Sequence, residues 1–382
     1  MKDGKEIKVI VGLSGGVDSA VSVIRLQQQG YTVEGCFMRN WDSALNNDLL
    51  GNPTINDEVC PQEKDYQDAV DVAATLGIKL HRIDFIEEYW NYVFEYFLSE
   101  YRHNRTPNPD ILCNKEIKFK AFLREAEKLG ADFIAMGHYA RVIHDEKNNR
   151  HYLLRGVDKN KDQSYFLSQL SQSQLAHALF PVGDIEKPEV RKIAEEYNLS
   201  IAHKKDSTGV CFIGERNFKE FLMNYIPANP GKIIDIKGNV VGKHDGVMYY
   251  TIGQRKGLGI GGPGDAWFVC GKDALRNELI VAQGDQTELL YGNKVIVKGI
   301  NMINEPFPSG TKLTVKFRYR QEDVPVTVEW IEGTNYTQAI VHTIEPTKAI
   351  TPGQACVFYD GEYCLGGGTI DEVYMNDVKR KY

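Results

Sequence analysis

The N-terminal half of the chain alternates short apolar runs with segments in which apolar residues recur every three or four positions. The apolar runs, which predict strands, lie at 7–11, 32–38, 79–84 and 133–136. The periodic segments predict helices at about 19–29, 64–76, 86–101, 117–129 and, more extensively, 164–198. Strands that alternate with helices of about 10 to 15 residues predict a parallel sheet covered on both faces. The first half is therefore expected to be an α/β domain.

Beyond about residue 205, glycine and proline become frequent, and short strands with alternating apolar positions replace the earlier pattern. The predicted strands lie at 295–297, 313–317, 324–330, 338–343 and 355–359. Repeated short strands with turn residues between them predict a small antiparallel barrel or sandwich. We therefore predict three domains: an α/β domain over 1–206, a small mixed central domain over 207–287 and an antiparallel β domain over 288–382.

The composition is that of a globular protein, with 382 residues, 42% of them hydrophobic and 25% charged. No apolar run approaches the roughly 20 residues that cross a bilayer, and the N-terminus lacks the apolar stretch of a secretory signal. A cytoplasmic location is therefore expected. The net charge of −7 is unlike that of a nonspecific nucleic-acid binder, so RNA binding would need basic residues gathered locally.

A glycine-rich loop lies between the first predicted strand and the first predicted helix. It consists of Gly12, Leu13, Ser14, Gly15, Gly16, Val17, Asp18 and Ser19. Glycines let backbone N–H groups approach an anion, and the helix N-terminus adds a positive dipole end. The loop lacks the lysine of a Walker motif and the spacing of a dinucleotide fingerprint. The alternative is an ordinary glycine-rich turn, which this string and position disfavour.

The loop string resembles the SGGxDS loop of the ATP pyrophosphatase (PP-loop) family. Members of that family cleave ATP between its α- and β-phosphates and adenylate a carbonyl-type oxygen, which then leaves as AMP. The resemblance implies ATP as a substrate. Asp18 beside a phosphate site would orient the loop or hold Mg²⁺, which is expected to accompany ATP. The loop does not identify the molecule that is adenylated.

The seven cysteines are odd in number and include no C-x-x-C pair, which argues against a disulfide framework and a structural zinc site. No residues are predicted to bind a resident metal. Cys113 lies in a proline-rich segment that is predicted to be irregular, three residues after Asp110. Lys115 and Lys118 follow it, and nearby cations are expected to lower the pKa of its thiol. The alternative is a buried, inert cysteine, but the polar neighbours favour reactivity.

Cys211 is the second cysteine in an unusual setting, because the cationic string 203–205 precedes it and glycines flank it. The remaining cysteines are interpreted as structural; they are Cys36, Cys60, Cys270, Cys356 and Cys364. Two reactive cysteines together with an adenylating loop suggest that an oxygen is activated and then replaced by sulfur. One cysteine would carry that sulfur as a persulfide, and the other would help to release it.

The chain also resembles the tRNA-specific 2-thiouridylases over nearly its whole length, from Val9 to about Gly368. Besides the loop, the segments that carry the resemblance lie at 37–41, 106–119, 137–141, 161–167, 206–214, 250–259 and 318–320. The resemblance implies an N-type ATP pyrophosphatase domain followed by a mixed central domain and a C-terminal antiparallel β-barrel. It implies 2-thiolation of the wobble uridine in the anticodon loop of tRNA, for the tRNAs of lysine, glutamate and glutamine. A cysteine desulfurase or sulfur-relay protein would be the persulfide donor.

The same resemblance assigns residue roles. Cys113 would be the nucleophile, Cys211 the persulfide carrier and Asp110 the general acid/base, and a Cys113–Cys211 disulfide would form during the reaction. ATP would contact Gly12 to Ser19, Met38 and Gly137. Contacts with the target base or with tRNA are implied for Asn108, Pro109, Asp110, Lys161, Asp162, Gln163, Arg318 and Tyr319.

The residues presumed to bind tRNA have simpler interpretations as well. Lys161, Asp162 and Gln163 form a short string of mixed charge that a solvated turn would also show. Arg318 and Arg320 on a strand would share one face and suit backbone phosphates, but an exposed antiparallel face gives the same pattern.

Two functional alternatives stay open on the sequence alone. Another PP-loop activity, such as lysidine synthesis or an amidation, would need the loop but no reactive cysteine pair. An RNA-binding module could instead use ATP only as a conformational switch. Release of pyrophosphate and AMP, as opposed to ADP, distinguishes an adenylating enzyme from such a switch.

Overall fold

The computed structural model describes residues 6–206, 209–211, 213–284 and 287–382. The chain separates into two compact units. The first comprises Met1–Phe94, Pro109–Asn217 and Glu362–Leu365, and the second comprises Glu95–Asn108, Phe218–Gly361 and Gly366–Tyr382. The predicted domain boundaries near residues 207 and 288 stay a prediction.

The first unit is built on a parallel sheet. The strands of this unit are β1 (Lys8–Gly12), β2 (Thr32–Arg39), β3 (Leu80–Asp84), β4 (Phe133–Ala135), β5 (Ala140–Asp145), β6 (Arg150–Arg155) and β7 (Ala178–Leu179). Five of these described strands pair in parallel in the order β3-β2-β1-β4-β7. β1 is buried along almost its whole length, which explains why it is an unbroken apolar run rather than an alternating one. The α/β prediction is confirmed.

The helices of the first unit cover the sheet. They lie at Val17–Gln28, Pro61–Leu76, Ile86–Tyr89, Pro109–Leu112, Phe122–Lys128, Gln172–Leu175 and Lys187–Glu196, with π-helical turns at Trp90–Phe94 and Cys113–Ala121 and a 3₁₀ turn at Ser164–Leu167. The prediction of a helical region over 164–198 is wrong, because that region holds only short helical pieces and β7. Ser171 starts a new helix through a capping box with Gln174, and Pro181 lies in the turn region that follows β7.

The core of this unit lies between β1 and the helices that pack on it. Val9 and Val11 of β1, Val21 and Ile24 of Val17–Gln28, and Val190 of Lys187–Glu196 are fully buried in one cluster. β5 and β6 form an antiparallel hairpin that the sequence analysis did not predict. This packing fixes the position of β1, the strand that the glycine-rich loop follows.

The second unit contains a mixed sheet and a barrel. The sheet strands are β8 (Gly231–Asp235), β9 (Val240–His244), β10 (Trp267–Asp273) and β11 (Glu278–Gln283). The barrel strands are β12 (Tyr291–Met302), β13 (Thr311–Lys316), β14 (Val324–Trp330), β15 (Gln338–Lys348), β16 (Ala355–Asp360) and β17 (Tyr363–Met375), followed by the short β18 (Val378–Lys379). The helical segments are Glu95–Arg102, Phe218–Met223, Val247–Tyr249 and Glu288–Leu290.

Both sheets agree with the predicted fold class. In the mixed sheet β8 and β11 run parallel, whereas their outer neighbours are antiparallel. In the barrel the described strands follow the order β12-β15-β14-β13-β16-β17, and β12 also pairs with β17. That last pairing closes the sheet, so the barrel is confirmed and the sandwich is excluded. In the part of the chain that the structure describes, none of the helices is long and apolar enough to cross a membrane.

Candidate active site

The strand order of the parallel sheet creates a topological switch point at β1. β2 lies on one side of β1 and β4 lies on the other. In open α/β sheets, ligands bind beyond the carboxyl ends of the strands at such a point. The glycine-rich loop follows β1, and Gly137 follows β4 by two residues. Both predicted ATP-binding segments therefore lie at the same crevice.

The loop turns from β1 into the helix Val17–Gln28. The Ser14 N–H donates to Ser19 Oγ at 3.2 Å, and Ser19 Oγ donates to the Gly16 carbonyl at 2.9 Å. Gly16 is the N-cap residue, and its helix start has no side-chain cap among the described residues. The uncapped first-turn N–H groups and the helix dipole make this end of the helix suitable for an anion such as a phosphate.

Two glycines allow the backbone to pack closely here. Gly15 has a φ of +73°, and a Cβ at that position would lie 2.2 Å from the carbonyl oxygen of Asp65. A Cβ at Gly137 would lie 2.8 Å from backbone atoms of Asp18 and Ser19. A side chain at either position would push the loop away from its neighbours. Met38, which the resemblance also assigns to ATP, lies on β2 beside the loop strand and is 8% exposed.

Asp18 takes part in an ion-pair network. Its carboxylate accepts hydrogen bonds from the Tyr139 hydroxyl at 2.7 Å and from Lys187 Nζ at 2.6 Å. Lys187 Nζ also lies 2.8 Å from Asp206, whose other oxygen accepts from Lys161 at 2.6 Å. Although burial opposes it, these hydrogen bonds from Lys161 and Lys187 lower the pKa of Asp206 to about 2. Lys187 thus joins the loop to the start of the segment that carries Cys211, a link that no sequence pattern indicated.

Replacing Lys187 by methionine is expected to destabilise the protein by about 3 kcal/mol, because it leaves two partly buried carboxylates without their shared cation. Urea unfolding measures the effect. Lys192→Met is the matched control on the same helix, since Lys192 is exposed and only approaches Glu196 at 3.9 Å. An equal loss in both variants would contradict the assignment.

The structure brings the two singled-out cysteines together. Their sulfur atoms lie 3.5 Å apart, although 98 residues separate them in the sequence. Cys113 is fully buried, whereas Cys211 is partly exposed. Both thiols are free at this distance, and a disulfide would need them to approach further. Of the string 206–214, which carries part of the family resemblance, Ser207, Thr208 and Phe212 lie outside the described residues.

Three further side chains hold Cys211 in place. Asp110 accepts a hydrogen bond from the Cys211 N–H at 3.1 Å, and the Tyr89 hydroxyl donates to the Cys211 carbonyl at 2.9 Å. The ammonium of Lys118 hydrogen-bonds the Cys211 sulfur. Tyr89 is not among the predicted site residues. Nothing in the sequence connects its position to a cysteine 122 residues later.

The two thiols have opposite acidities. Burial raises the pKa of Cys113 well above its ordinary value. The hydrogen bond from Cys113 lowers the pKa of Cys211, against the effect of burial, and the charge of Lys118 lowers it further. Burial also raises the pKa of Asp110, and the Cys211 N–H and Lys118 only partly offset that effect. Cys211 is therefore the more acidic thiol of the pair, and it ionises at lower pH than Cys113.

Several local expectations need correction. The segment around Cys113 is not irregular: a helix begins at Pro109, because proline is well accommodated at the first helical position. The pKa of Cys113 is raised, not lowered. Lys115 contacts Gln169 at 3.5 Å, and Lys118 acts on Cys211.

The cations before Cys211 are also placed differently from the prediction. Lys204 donates to the carboxylates of Asp65 and Asp68 at 2.7 Å and 2.6 Å, and to the Gly15 carbonyl at 3.1 Å. His203 is exposed and lies 3.7 Å from Glu195. The cation that hydrogen-bonds the Cys211 sulfur is Lys118, which belongs to a segment distant in sequence.

Lys161, Asp162 and Gln163 do not form a solvated turn. Asp162 is buried and accepts from the backbone N–H groups of Gly156 and Ser164. Gln163 accepts from the Tyr139 N–H at 3.0 Å. These contacts support the loop that precedes the 3₁₀ turn, and a role of the three residues in tRNA binding stays a prediction.

In the second unit, Arg318 and Tyr319 follow β13 in a turn. The expectation that Arg318 and Arg320 share a strand face is wrong, since β13 ends at Lys316 and Arg320 has a φ of +64°. Arg318 donates to the Ile252 carbonyl at 2.8 Å. The guanidinium of Arg320 lies 5.4 Å from the Tyr319 ring centroid. Asn108 ends a segment of this unit, whereas Pro109 and Asp110 belong to the first.

No group of three or more His, Cys, Asp or Glu side chains in the described ranges could hold a metal ion. Asp18, the carboxylate of the loop, is paired with Lys187. These residues do not fit a resident metal site, and Mg²⁺ would have to be held mainly by the phosphates of a nucleotide.

Comparisons with known proteins cover most of the chain. Family models match residues 7–215 ("tRNA methyl transferase HUP domain"), 219–283 ("tRNA methyl transferase PRC-barrel domain") and 292–370 ("Aminomethyltransferase beta-barrel domain"). Among solved structures, a 4-thiouridine synthetase–RNA complex with bound ATP has a TM-score of 0.32 and 14% identity, covering 55% of this chain and 45% of that one. So low a score supports no inference.

Full-length relatives are more informative. The tRNA-specific 2-thiouridylase MnmA of Acholeplasma laidlawii (strain PG-8A) is 54% identical over 378 residues, which cover 98% of this chain and 99% of the relative. The protein of the same name from Lysinibacillus sphaericus (strain C3-41) is 54% identical over 385 residues, covering 100% and 98%. The resemblance seen in the sequence motifs is thus confirmed: the chain belongs to the tRNA-specific 2-thiouridylase family.

Proposed function

We propose that this enzyme replaces the C2 oxygen of the wobble uridine of tRNA by sulfur, using ATP to activate the oxygen and a cysteine persulfide to supply the sulfur. Family membership supports tRNA as the substrate and 2-thiouridine as the product. One observation carries the mechanism: a phosphate-type loop and two thiols 3.5 Å apart belong to the same compact unit.

The first step is adenylation. The C2 oxygen of the uridine attacks the α-phosphorus of ATP, the bond to the β-phosphate breaks and pyrophosphate leaves. The loop N–H groups and the positive end of Val17–Gln28 would stabilise the charge that develops on the phosphates. Bound Mg²⁺ would neutralise part of the same charge. The base must first leave its stack, which costs a few kcal/mol and is easier in an anticodon loop.

The second step transfers sulfur. The Cys211 thiolate attacks the outer sulfur of a donor persulfide, the donor thiolate leaves and a Cys211 persulfide forms. Its terminal sulfur attacks C2 of the adenylated uridine, and AMP departs. Cys113 then attacks the Cys211 sulfur, which releases 2-thiouridine and leaves a Cys113–Cys211 disulfide for an external thiol reductant. Alternatively, Cys113 attacks the persulfide first and releases hydrosulfide, which attacks C2. The 3.5 Å sulfur separation supports either route.

Asp110 would act as the general acid/base at the uridine, with Asn108 and Pro109 shaping the pocket for the base. Its buried carboxyl has a raised pKa, which brings proton exchange closer to neutral pH. Lys161, Asp162, Gln163, Arg318 and Tyr319 are proposed to position tRNA. The substrates would be the tRNAs for lysine, glutamate and glutamine, and the donor a cysteine desulfurase or sulfur-relay protein.

Replacing Asp110 by asparagine is expected to lower thiolation by about 10²-fold or more while stabilising the fold. Because burial raises the folded-state pKa of Asp110, the ionised form is disfavoured and stability falls as pH rises through that pKa. The gain in melting temperature should thus be largest at neutral pH and shrink on acidification. Paired melting curves check the sign. A gain that grew in acid would contradict it.

The decisive experiment incubates the protein with unmodified tRNA, ATP and a persulfide source, then analyses the nucleosides by mass spectrometry. We expect 2-thiouridine at the wobble position, with one AMP and one pyrophosphate for each sulfur. A methylated nucleoside has a different mass, so the same measurement tests the activity that the family descriptions mention. If no 2-thiouridine forms, the proposal fails.

A further inference from the structure

Lys118 is placed at the thiol pair by an unusual helix. The segment Cys113–Ala121 is π-helical, so backbone hydrogen bonds join residues five positions apart. Lys118 therefore lies one turn after Cys113 and on a similar face. In an α-helix, with 3.6 residues per turn, the residue five positions on would face elsewhere. Single π turns are frequent at functional sites.

The surroundings of Lys118 are enclosed and rich in groups that can carry negative charge. Its ammonium hydrogen-bonds the Cys211 sulfur, and Cys113 and Asp110 would attract it further when they are ionised. Tyr89 and His138 are the other titratable groups that interact with this cluster in the described part of the chain. Burial and the charge of Lys118 lower the pKa of His138, so that ring is neutral. Lys118 is the cation of the cluster.

The two cysteines differ in their contacts with Lys118. The ammonium of Lys118 donates to the Cys211 sulfur, whereas Cys113 contacts Cys211 through its own sulfur at 3.5 Å. Cys211 is also the partly exposed member of the pair and the one that a donor could reach. Hydrogen bonds to a sulfur atom favour its anion, and the anion is the nucleophile in thiol exchange.

We propose that Lys118 is a catalytic residue that holds the Cys211 sulfur as an anion and so makes Cys211, and not Cys113, the sulfur acceptor. This inference rests on the proposed function. In sulfur uptake, the Cys211 anion displaces the donor thiolate, and Lys118 then balances the charge of the terminal persulfide sulfur. When Cys113 attacks, the same cation balances the sulfur that leaves. No external electrons or protons are needed beyond those of the thiol exchange.

The test measures the alkylation rate of Cys211 by iodoacetamide against pH, with the modified peptide identified by mass spectrometry. Lys118→Met should move the inflection to higher pH and slow alkylation near neutral pH by about tenfold or more, since one pKa unit changes the thiolate fraction tenfold. Lys118→Arg should retain most of the wild-type profile. Lys115→Met is the matched control, because Lys115 contacts Gln169 and should leave the profile unchanged.

A second pair of variants separates the effect of Lys118 on Cys211 from the effect of the Cys113 thiol. In Cys113→Ser, adding Lys118→Met should again shift the Cys211 inflection upward, and melting curves verify that each variant is folded. In thiolation assays Lys118→Met should lower kcat while leaving the KM for tRNA unchanged. A folded Lys118→Met variant with a wild-type Cys211 profile overturns the proposal. Alkylation needs neither tRNA nor ATP, so a shifted profile in Lys118→Met together with no 2-thiouridine from the wild-type enzyme overturns the proposed function instead.

Discussion

Replacing Cys211 by serine is expected to abolish 2-thiouridine formation, with a rate loss of roughly a thousandfold or more. A serine hydroxyl cannot take up sulfur as a persulfide, although the phosphate loop is untouched. A single burst of pyrophosphate should therefore remain when tRNA and ATP are present. Nucleoside mass spectrometry and a pyrophosphate assay on the same reaction measure both effects.

Cys113→Ser should be equally inactive, but it should stop at a different stage. If the persulfide attacks C2 directly, a tRNA remains attached to Cys211 through a disulfide that a dithiol releases. If hydrosulfide is the attacking species, a Cys211 persulfide accumulates and no tRNA is attached. Gel shifts under non-reducing conditions and peptide mass spectrometry separate these two results.

Cys60→Ser is the control for both cysteine variants. Cys60 is exposed and precedes the helix Pro61–Leu76, so its replacement should leave turnover unchanged. Full turnover by Cys113→Ser or Cys211→Ser would instead favour a PP-loop reaction that requires no cysteine pair.

Replacing Gly15 by alanine is expected to reduce tRNA-dependent pyrophosphate release by about 10²-fold, as a displacement near 1 Å at reacting groups can do. The added Cβ would lie 2.2 Å from the Asp65 carbonyl oxygen, so the loop must move. The positive φ of Gly15 adds strain for any other residue. Isothermal titration with ATP and the pyrophosphate assay test the binding and the chemistry separately.

Gly130→Ala is the matched control for that variant. Gly130 also has a positive φ, +81°, but no atom lies within 4 Å of a Cβ added there. It therefore reproduces the backbone strain without the collision, and it should retain activity. If Gly15→Ala released pyrophosphate at the wild-type rate, the loop would not be the ATP site.

Many helices and strands of the fold were predictable because they depend on the local pattern of apolar and polar residues. The apolar run at 7–11 became β1, and the glycine-rich string after it became the start of a helix, as its composition requires. Of the barrel strands β12 to β17, the first five were likewise evident from alternation, whereas β17 was not predicted. The hairpin of β5 and β6 was not predicted, and too much of 164–198 was predicted to be helical. The reason is that the conformation of a short element depends mainly on the residues that pack against it in the tertiary structure.

The sequence by itself determined the parts of the chemistry that reside in contiguous strings: the phosphate loop, the presence of Cys113 and Cys211, and the family. Only the tertiary structure decided how those parts are arranged. It brought two thiols 98 residues apart to 3.5 Å and gave them opposite shifts in pKa. The reason is physical: the acidity of a thiol depends on burial and on donors reaching it across the fold, and neighbours in sequence need not be those donors. Lys118 was visible beside Cys113, yet the π-helical turn directs it to Cys211.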